Sequence, residues 1–318
     1  MFFPRTILLW FALLTTAKCD DDVVCDVDLV WYEAGKIEPH EYSAKSNVTD
    51  DLRNATKIEI AQNVSTLRYL ELSFASDLKV LVVDNVGLTT IEPGALKSIP
   101  WTVENLTVTR NKMAAIPAGV FNDLGVKILN LSDNQIQTVK PDAFNRMTNL
   151  TTLVLDRNEL VTYDLELSQC DRLSTISLRY NYIEELPRSS FKNLKDNAAT
   201  VKLSFNKIGS VHDLAFDIKE FCEVHLDHNE LTNARLLIKL IKADKVDLSE
   251  NHIECLPKEF MENGLSKIKV LNLTNNPLNC SCLNDLKKKV RKNVEFQKMS
   301  PLVKNINIIL PDKECPKK

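Results

Sequence analysis

Apolar residues in the middle of the chain follow one frame repeatedly. Residues 126–136 read VKILNLSDNQI, residues 150–160 read LTTLVLDRNEL and residues 173–183 read LSTISLRYNYI. The shared frame is L-x-x-L-x-L-x-x-N-x-L. It starts at Ala55, Leu78, Val103, Val126, Leu150, Leu173, Ala198, Phe221, Ala243 and Ile268, in steps of 22 to 25 residues. Alternation at positions 4 and 6, as in Leu153 and Leu155, predicts a short strand with one buried face. Position 9 is asparagine in nine of the ten repeats, where the chain must turn away from the strand. An inward amide has two donors and an acceptor, so it can satisfy the turn's backbone and link neighbouring turns. Val86 is the exception, and the second repeat is expected to be locally weak or irregular. A second inward pair follows each turn: Ile116 with Phe121, Val139 with Phe144, Leu186 with Phe191 and Leu256 with Phe260.

One such repeat cannot bury its own apolar face, but ten stacked repeats can. The period and frame are those of leucine-rich repeats. They predict an α/β solenoid, a leucine-rich-repeat horseshoe of about ten repeats with a concave parallel β-sheet. The expected organisation is a signal peptide over 1–17, an N-terminal cap over 18–54, ten repeats over 55–279 and a basic C-terminal cap over 280–318. The signal reading rests on a short apolar run, Ile7 to Leu14, followed by small residues up to Ala17. The run is too short to span a bilayer, and no later segment reaches that length, so no transmembrane segment is expected. The chain is therefore expected to be secreted and extracellular. Its eight cysteines are then candidates for disulfides. Sequons at Asn47, Asn54, Asn105, Asn130, Asn149 and Asn272 are candidate glycosylation sites. Asn63 also heads a sequon, but as a ladder asparagine it is expected to be buried and unmodified.

The ends of the repeat array carry a more specific signal. Asn276, Pro277, Cys280 and Cys282 form N-P-x-x-C-x-C, and Leu283, Leu286, Val290 and Val294 then share one helical face. In these features the chain resembles the secreted leucine-rich-repeat proteins of animals with cysteine-flanked caps, among them insect blood (haemolymph) immune proteins. The usual caps hold more cysteines than this chain offers. Cys19 and Cys25 are expected to staple the N-terminal cap. Equivalent positions in adjacent coils suggest Cys255–Cys280, leaving Cys282–Cys315. Cys170 and Cys222 remain, either as buried thiols or with one of them bonding a partner chain.

Composition removes several function classes. Seven glycines and no G-x-G-x-x-G or G-x-x-x-x-G-K motif argue against phosphate or dinucleotide binding. No G-x-S-x-G or H-E-x-x-H motif is present, so no enzyme, cofactor or metal site is expected. Net charge is -3, which argues against a broadly basic nucleic-acid binder. The charge is uneven, because residues 280–318 hold ten basic and four acidic side chains. That end could meet an anionic surface or polysaccharide.

Candidate binding residues lie at the outward positions 3, 5, 7 and 8 of the later repeats. Position 8 carries Arg157, Tyr180, Phe205, His228 and Glu250, with Arg179 and Tyr182 nearby. Aromatic and arginine side chains are common binding anchors. His225 should neighbour Asp247 and His228 should neighbour Glu250, with Asp227 between. The same set reads as lateral charge pairs on a wet surface. The expected function is a secreted, non-enzymatic recognition protein that docks an extracellular protein on its concave face, in a disulfide-linked or reversible complex. The resemblance allows a role in innate immunity. The alternative is a structural component of extracellular matrix or cell adhesion. Saturable binding of a soluble partner separates the first from retention in insoluble matrix.

Overall fold

A computed structural model describes residues 29–33, 53–60, 63–70, 72–73, 75–195, 199–217, 220–299 and 307–312. The signal segment, Cys19, Cys25, Asn47 and Cys315 lie outside the described residues. The chain forms two compact units, Met1–Asn158 with Glu166–Arg172, and Glu159–Leu165 with Leu173–Lys318.

Unit one holds the strands of repeats one to five: Ala55–Ile60, Val80–Asp84, Asn105–Thr109, Ile128–Asn130 and Thr152–Val154. They pair in parallel, and position 4 stays in register, with Leu81 opposite Leu106, Leu106 opposite Leu129 and Leu129 opposite Leu153. Each of these leucines is fully buried. Full burial contributes about 2 kcal/mol per side chain, so the register that aligns them is strongly favoured over a one-residue slip. The strand Leu29–Glu33 pairs antiparallel with Ala55–Ile60. Unit two repeats the scheme with Thr175–Ser177, Ala199–Lys202, Phe221–His225, Lys245–Asp247 and Val270–Asn272. Its position-4 column is Ile176, Val201, Val224, Val246 and Leu271. Asn307–Ile309 then adds a parallel strand beside repeat ten. Each unit stacks five repeat strands in parallel register, the build of a leucine-rich-repeat solenoid fold.

The asparagine ladder works backwards along the chain. The Asn206 amide donates to Leu178 O at 2.9 Å in the preceding repeat, and its oxygen accepts from Ile183 N at 3.1 Å. Asn229, Asn251 and Asn276 repeat this pair of links. This direction explains two departures from expectation. Asn111 serves the turn of repeat two, accepting from Val86 N and Leu88 N at 3.1 Å and donating to Val83 O at 2.8 Å. Val86 is buried and the repeat keeps a five-residue strand, so repeat two is regular without its own asparagine. Asn63 is exposed rather than buried, which corrects its reading as a ladder residue. On the side toward which the ladder reaches, the described strand beside its repeat is the antiparallel Leu29–Glu33 rather than a repeat strand, and the Asn63 sequon is accessible.

Behind the sheet, Phe121 and Phe144 stack at 5.9 Å in unit one, and Phe191 and Phe216 lie 4.9 Å apart in unit two. Tyr163 stands at the position that Ile116, Val139 and Leu186 hold in other repeats, and packs edge-on to Phe191 at 5.1 Å. Its hydroxyl donates to Ser190 O at 2.7 Å, and burial pushes its pKa up. At the C-terminal end the helix Cys280–Met299 begins on Asn279, whose side-chain oxygen accepts from Cys282 N at 2.9 Å. Leu283 and Leu286 are fully buried beneath it.

The cysteine pairing differs from the expected one. Cys255 bonds Cys282, not Cys280, with the Cα atoms 5.5 Å apart. The matched-position argument treats residues 278–282 as another coil, but Cys280 starts a helix and its turn brings Cys282 inward against repeat nine. Because Cys282 is taken by Cys255, the expected Cys282–Cys315 bond is also excluded; Cys280 is disulfide-bonded as well. Cys170 is a buried free thiol whose pKa burial raises to about 11, and Cys222 is free and half-buried.

Candidate functional site

Position 8 lies in the turn after each strand and has one backbone conformation throughout. In unit two, Tyr180, Phe205, His228, Glu250 and Asn275 have φ of 56°, 59°, 55°, 55° and 55°. This left-handed region disfavours residues with a Cβ, and bulky ones most. The backbone of the turn dictates the conformation, since the amide of each position 8 donates to the position-7 carbonyl of the next repeat: Tyr180 to Ser204, Phe205 to Asp227 and His228 to Ser249. Side chains at position 8 therefore leave the turn side by side, one strand spacing apart.

In repeats six to eight the result is a stack of three rings. Tyr180 and Phe205 lie 4.4 Å apart at 9°, and Phe205 and His228 lie 4.0 Å apart at 19°. Tyr180 remains 44% exposed and Phe205 37% exposed, so the stack presents an apolar ridge to solvent rather than filling a core. Tyr182, 48% exposed, extends it, with the Lys207 ammonium 5.1 Å from its ring centre. Arg179, at position 7, is half-buried beside Tyr180.

The strand face next to the ridge is acidic. His225 stands opposite Asp247 in register, but its imidazole Nε2 bonds Glu223 on its own strand at 2.8 Å. This bond holds the Glu223 carboxyl below its ordinary range, with nearby Lys245 and Lys202 adding to the effect. His228 bonds Asp227 through Nδ1 at 3.2 Å, while Glu250 instead accepts from the Asn275 amide. In place of the expected lateral His228–Glu250 pairing, His228 bonds its chain neighbour and Glu250 bonds the next repeat. Atoms of His225, Asp227 and Asp247 come within 4.8 Å of one another, a spacing that could hold a cation. However, Ser204, Ser249 and Asn272 already bond these carboxylates at 2.6, 2.6 and 3.1 Å. What remains is an acidic surface with fixed side chains, suited to a partner's positive charge.

The structure therefore groups the predicted residues Tyr180, Phe205, His228, His225, Asp227, Asp247 and Glu250 in one unit, with Arg179 and Tyr182 beside them. In unit one, sequence reading placed Arg157 in the position-8 row but overlooked Arg110 and the ion pairs that both arginines make. There the exposed Arg110 at position 8 bonds the half-buried Asp84 at position 7 at 2.8 Å, and the exposed Arg157 bonds the half-buried Asp133, both at position 8, at 3.2 Å. Arg110 lowers the Asp84 pKa chiefly by this bond. The shared position-8 register was the available signal. Among the glycosylation candidates, Asn54 is exposed and Asn105, Asn130, Asn149 and Asn272 are half-buried. The Asn130 and Asn272 oxygens accept from Ser132 N and Thr274 N in tight local turns.

Comparison with known proteins agrees with this architecture. A family model described as leucine rich repeat matches residues 102–160. Keratocan of Danio rerio is 30% identical over 58% of this chain and 55% of its own length. Podocan of Mus musculus is 27% identical over 64% of this chain and 33% of its own. Osteomodulin of Rattus norvegicus is 27% identical over 61% and 45%. The chain thus spans about half or less of the length of these relatives. Among solved structures, the leucine-rich-repeat domain of APL1B aligns with TM-score 0.51 at 21% identity, covering 64% of this chain and 59% of that one, a likeness of fold. No helix among the described residues is long and apolar enough to cross a membrane. The chain is a secreted, extracellular and non-catalytic leucine-rich-repeat solenoid, related to other secreted leucine-rich-repeat proteins.

Proposed function

We propose that this protein is a structural component of extracellular matrix that docks a protein partner on the strand face of unit two. The observation that carries the docking reading is the exposed ring stack Tyr180–Phe205–His228. Aromatic side chains in strained backbone gain nothing from solvent, whereas a partner that covers them gains apolar burial. The acidic strip of Glu223, Asp227, Asp247 and Glu250 beside the stack favours a basic segment on the partner. The matrix reading draws on keratocan, podocan and osteomodulin, which are matrix proteins. An immune recognition role has only the fold likeness to APL1B behind it.

The test is retention. The full secreted chain would be applied to decellularised matrix and eluted with rising salt. Retention that salt reverses, and that Tyr180→Ala with Phe205→Ala abolishes, supports the reading. A chain that stays soluble and instead captures one soluble partner saturably would favour recognition over structure.

A further inference from the structure

A second surface, in unit one, has the construction of a small-ligand site. It lies on the loops that follow the sheet strands in repeats two and three, where a cavity of about 590 Å³ opens between residues 93–101 and 119–126. That volume lies within the range of small-molecule sites. One wall is Trp101, which is 73% exposed, the most exposed large apolar side chain described. Its position is set by Gly125, since a Cβ there would meet the indole at 2.7 Å. Two more glycines, Gly94 and Gly119, line the same cavity at φ of 89° and 76°. A chain with only seven glycines thus has three of them here.

The lining defines a chemistry. Leu96, Val120 and Leu124 form a buried aliphatic floor. Asn122 and Lys97 bring an amide and an ammonium to the edge. Asp123 is occupied by Arg146 at 2.6 Å, which holds its carboxyl below the usual range. Lys97 forms no direct ion pair among the described residues, although its charge acts at longer range on Asp123. A purely apolar ligand would leave Lys97 unanswered, and a wholly polar one would leave the indole uncovered. A pyranose ring answers both, because one face is a flat array of C–H bonds and its edge carries hydroxyls. The electron-rich face of an indole attracts such polarised C–H groups. A carboxylate on the ring would meet Lys97.

We propose that this cleft binds a saccharide bearing a uronic acid, with Trp101 as the stacking platform, Lys97 as the carboxylate partner and Asn122 as a hydroxyl partner. The site lies wholly in unit one and does not depend on the docking reading for unit two. A protein with both would join a polypeptide to an acidic glycan.

Titration calorimetry of the full secreted chain with a hyaluronan hexasaccharide, and separately with the neutral chitin hexasaccharide, tests the assignment. The expected result is saturable binding of the acidic probe in preference to the neutral one. Trp101→Ala should weaken it about tenfold, a loss of about 1.4 kcal/mol. Trp101→Phe should retain most of it, and Lys97→Gln should erase the acidic preference. Phe205→Asn, in the other unit, should leave it unchanged. Failure of both probes to bind would overturn the proposal. So would binding that ignores Trp101→Ala but disappears when Lys287, Lys288 and Lys289 are neutralised, since that would place the glycan on the basic helix.

Discussion

In unit one the position-8 residues, in the turns after the strands, are Asn85, Arg110, Asp133 and Arg157; in unit two they are Tyr180, Phe205, His228, Glu250 and Asn275. All nine have φ between 53° and 59°. The backbone asks for glycine or asparagine at each, because a Cβ in this region costs about 1–2 kcal/mol. Unit one occupies the row mainly with polar residues, and the arginines form ion pairs with Asp84 and Asp133. Unit two places bulky rings in the same strained backbone and leaves them partly exposed. The fold sets the backbone of the row, while the side chains on it are free to vary, and in unit two they favour contact over stability.

The deepest cut at this comparison removes the ladder that both units share. Asn206→Leu should cost about 3 kcal/mol in urea unfolding, because it orphans Ile183 N and removes one of the two amide donors that the Leu178 and Leu203 carbonyls each accept from. Asn134→Leu in unit one should cost about 1 kcal/mol less, since the Asn134 oxygen has no partner to lose. Equal costs would mean that the ladder is not held by these bonds. Removing the Cys255–Cys282 bond by Cys282→Ala should cost about 2–4 kcal/mol, and protease cleavage should then start near repeat nine.

Smaller effects should separate the two rows. Arg157→Ala breaks an exposed ion pair and should change stability by no more than about 1 kcal/mol. The Glu223–His225 bond should appear in the acid limb. Glu223 has a depressed pKa, so its contribution is complete above the ordinary glutamate range and is lost as pH falls through its folded value. Comparing Tm of the parent and Glu223→Gln from about pH 6 to about pH 3 should show a gap that closes on acidification. A gap that widens in acid would reverse the assignment.

Much of this was legible in the chain. The repeat period placed all ten strands, because a parallel stack keeps like positions in register and Leu81, Leu106, Leu129 and Leu153 fall in one column. The ring stack was legible for the same reason, as Tyr180, Phe205 and His228 share a frame position. What the frame hid were features that break it. Cys282 reaches Cys255 because the coil ends in a helix at Cys280, which spacing alone does not show. Asn63 matches the ladder position, yet the described strand on the side toward which the ladder reaches is antiparallel and not a repeat strand. Trp101 lies in a loop between frames, and its packing on Gly125 emerges only when adjacent coils are in place.

The central claim is that the strained rings of unit two serve binding rather than folding. Phe205→Asn tests it most directly, since asparagine suits the left-handed backbone while removing the middle ring of the stack. Thermal stability and salt-reversible matrix retention would be measured on the same preparation. The account predicts a Tm equal to or above that of the parent, with retention weakened by at least about tenfold. A variant that loses several degrees of stability and keeps its retention would contradict it, and would make the stack a structural feature of the solenoid.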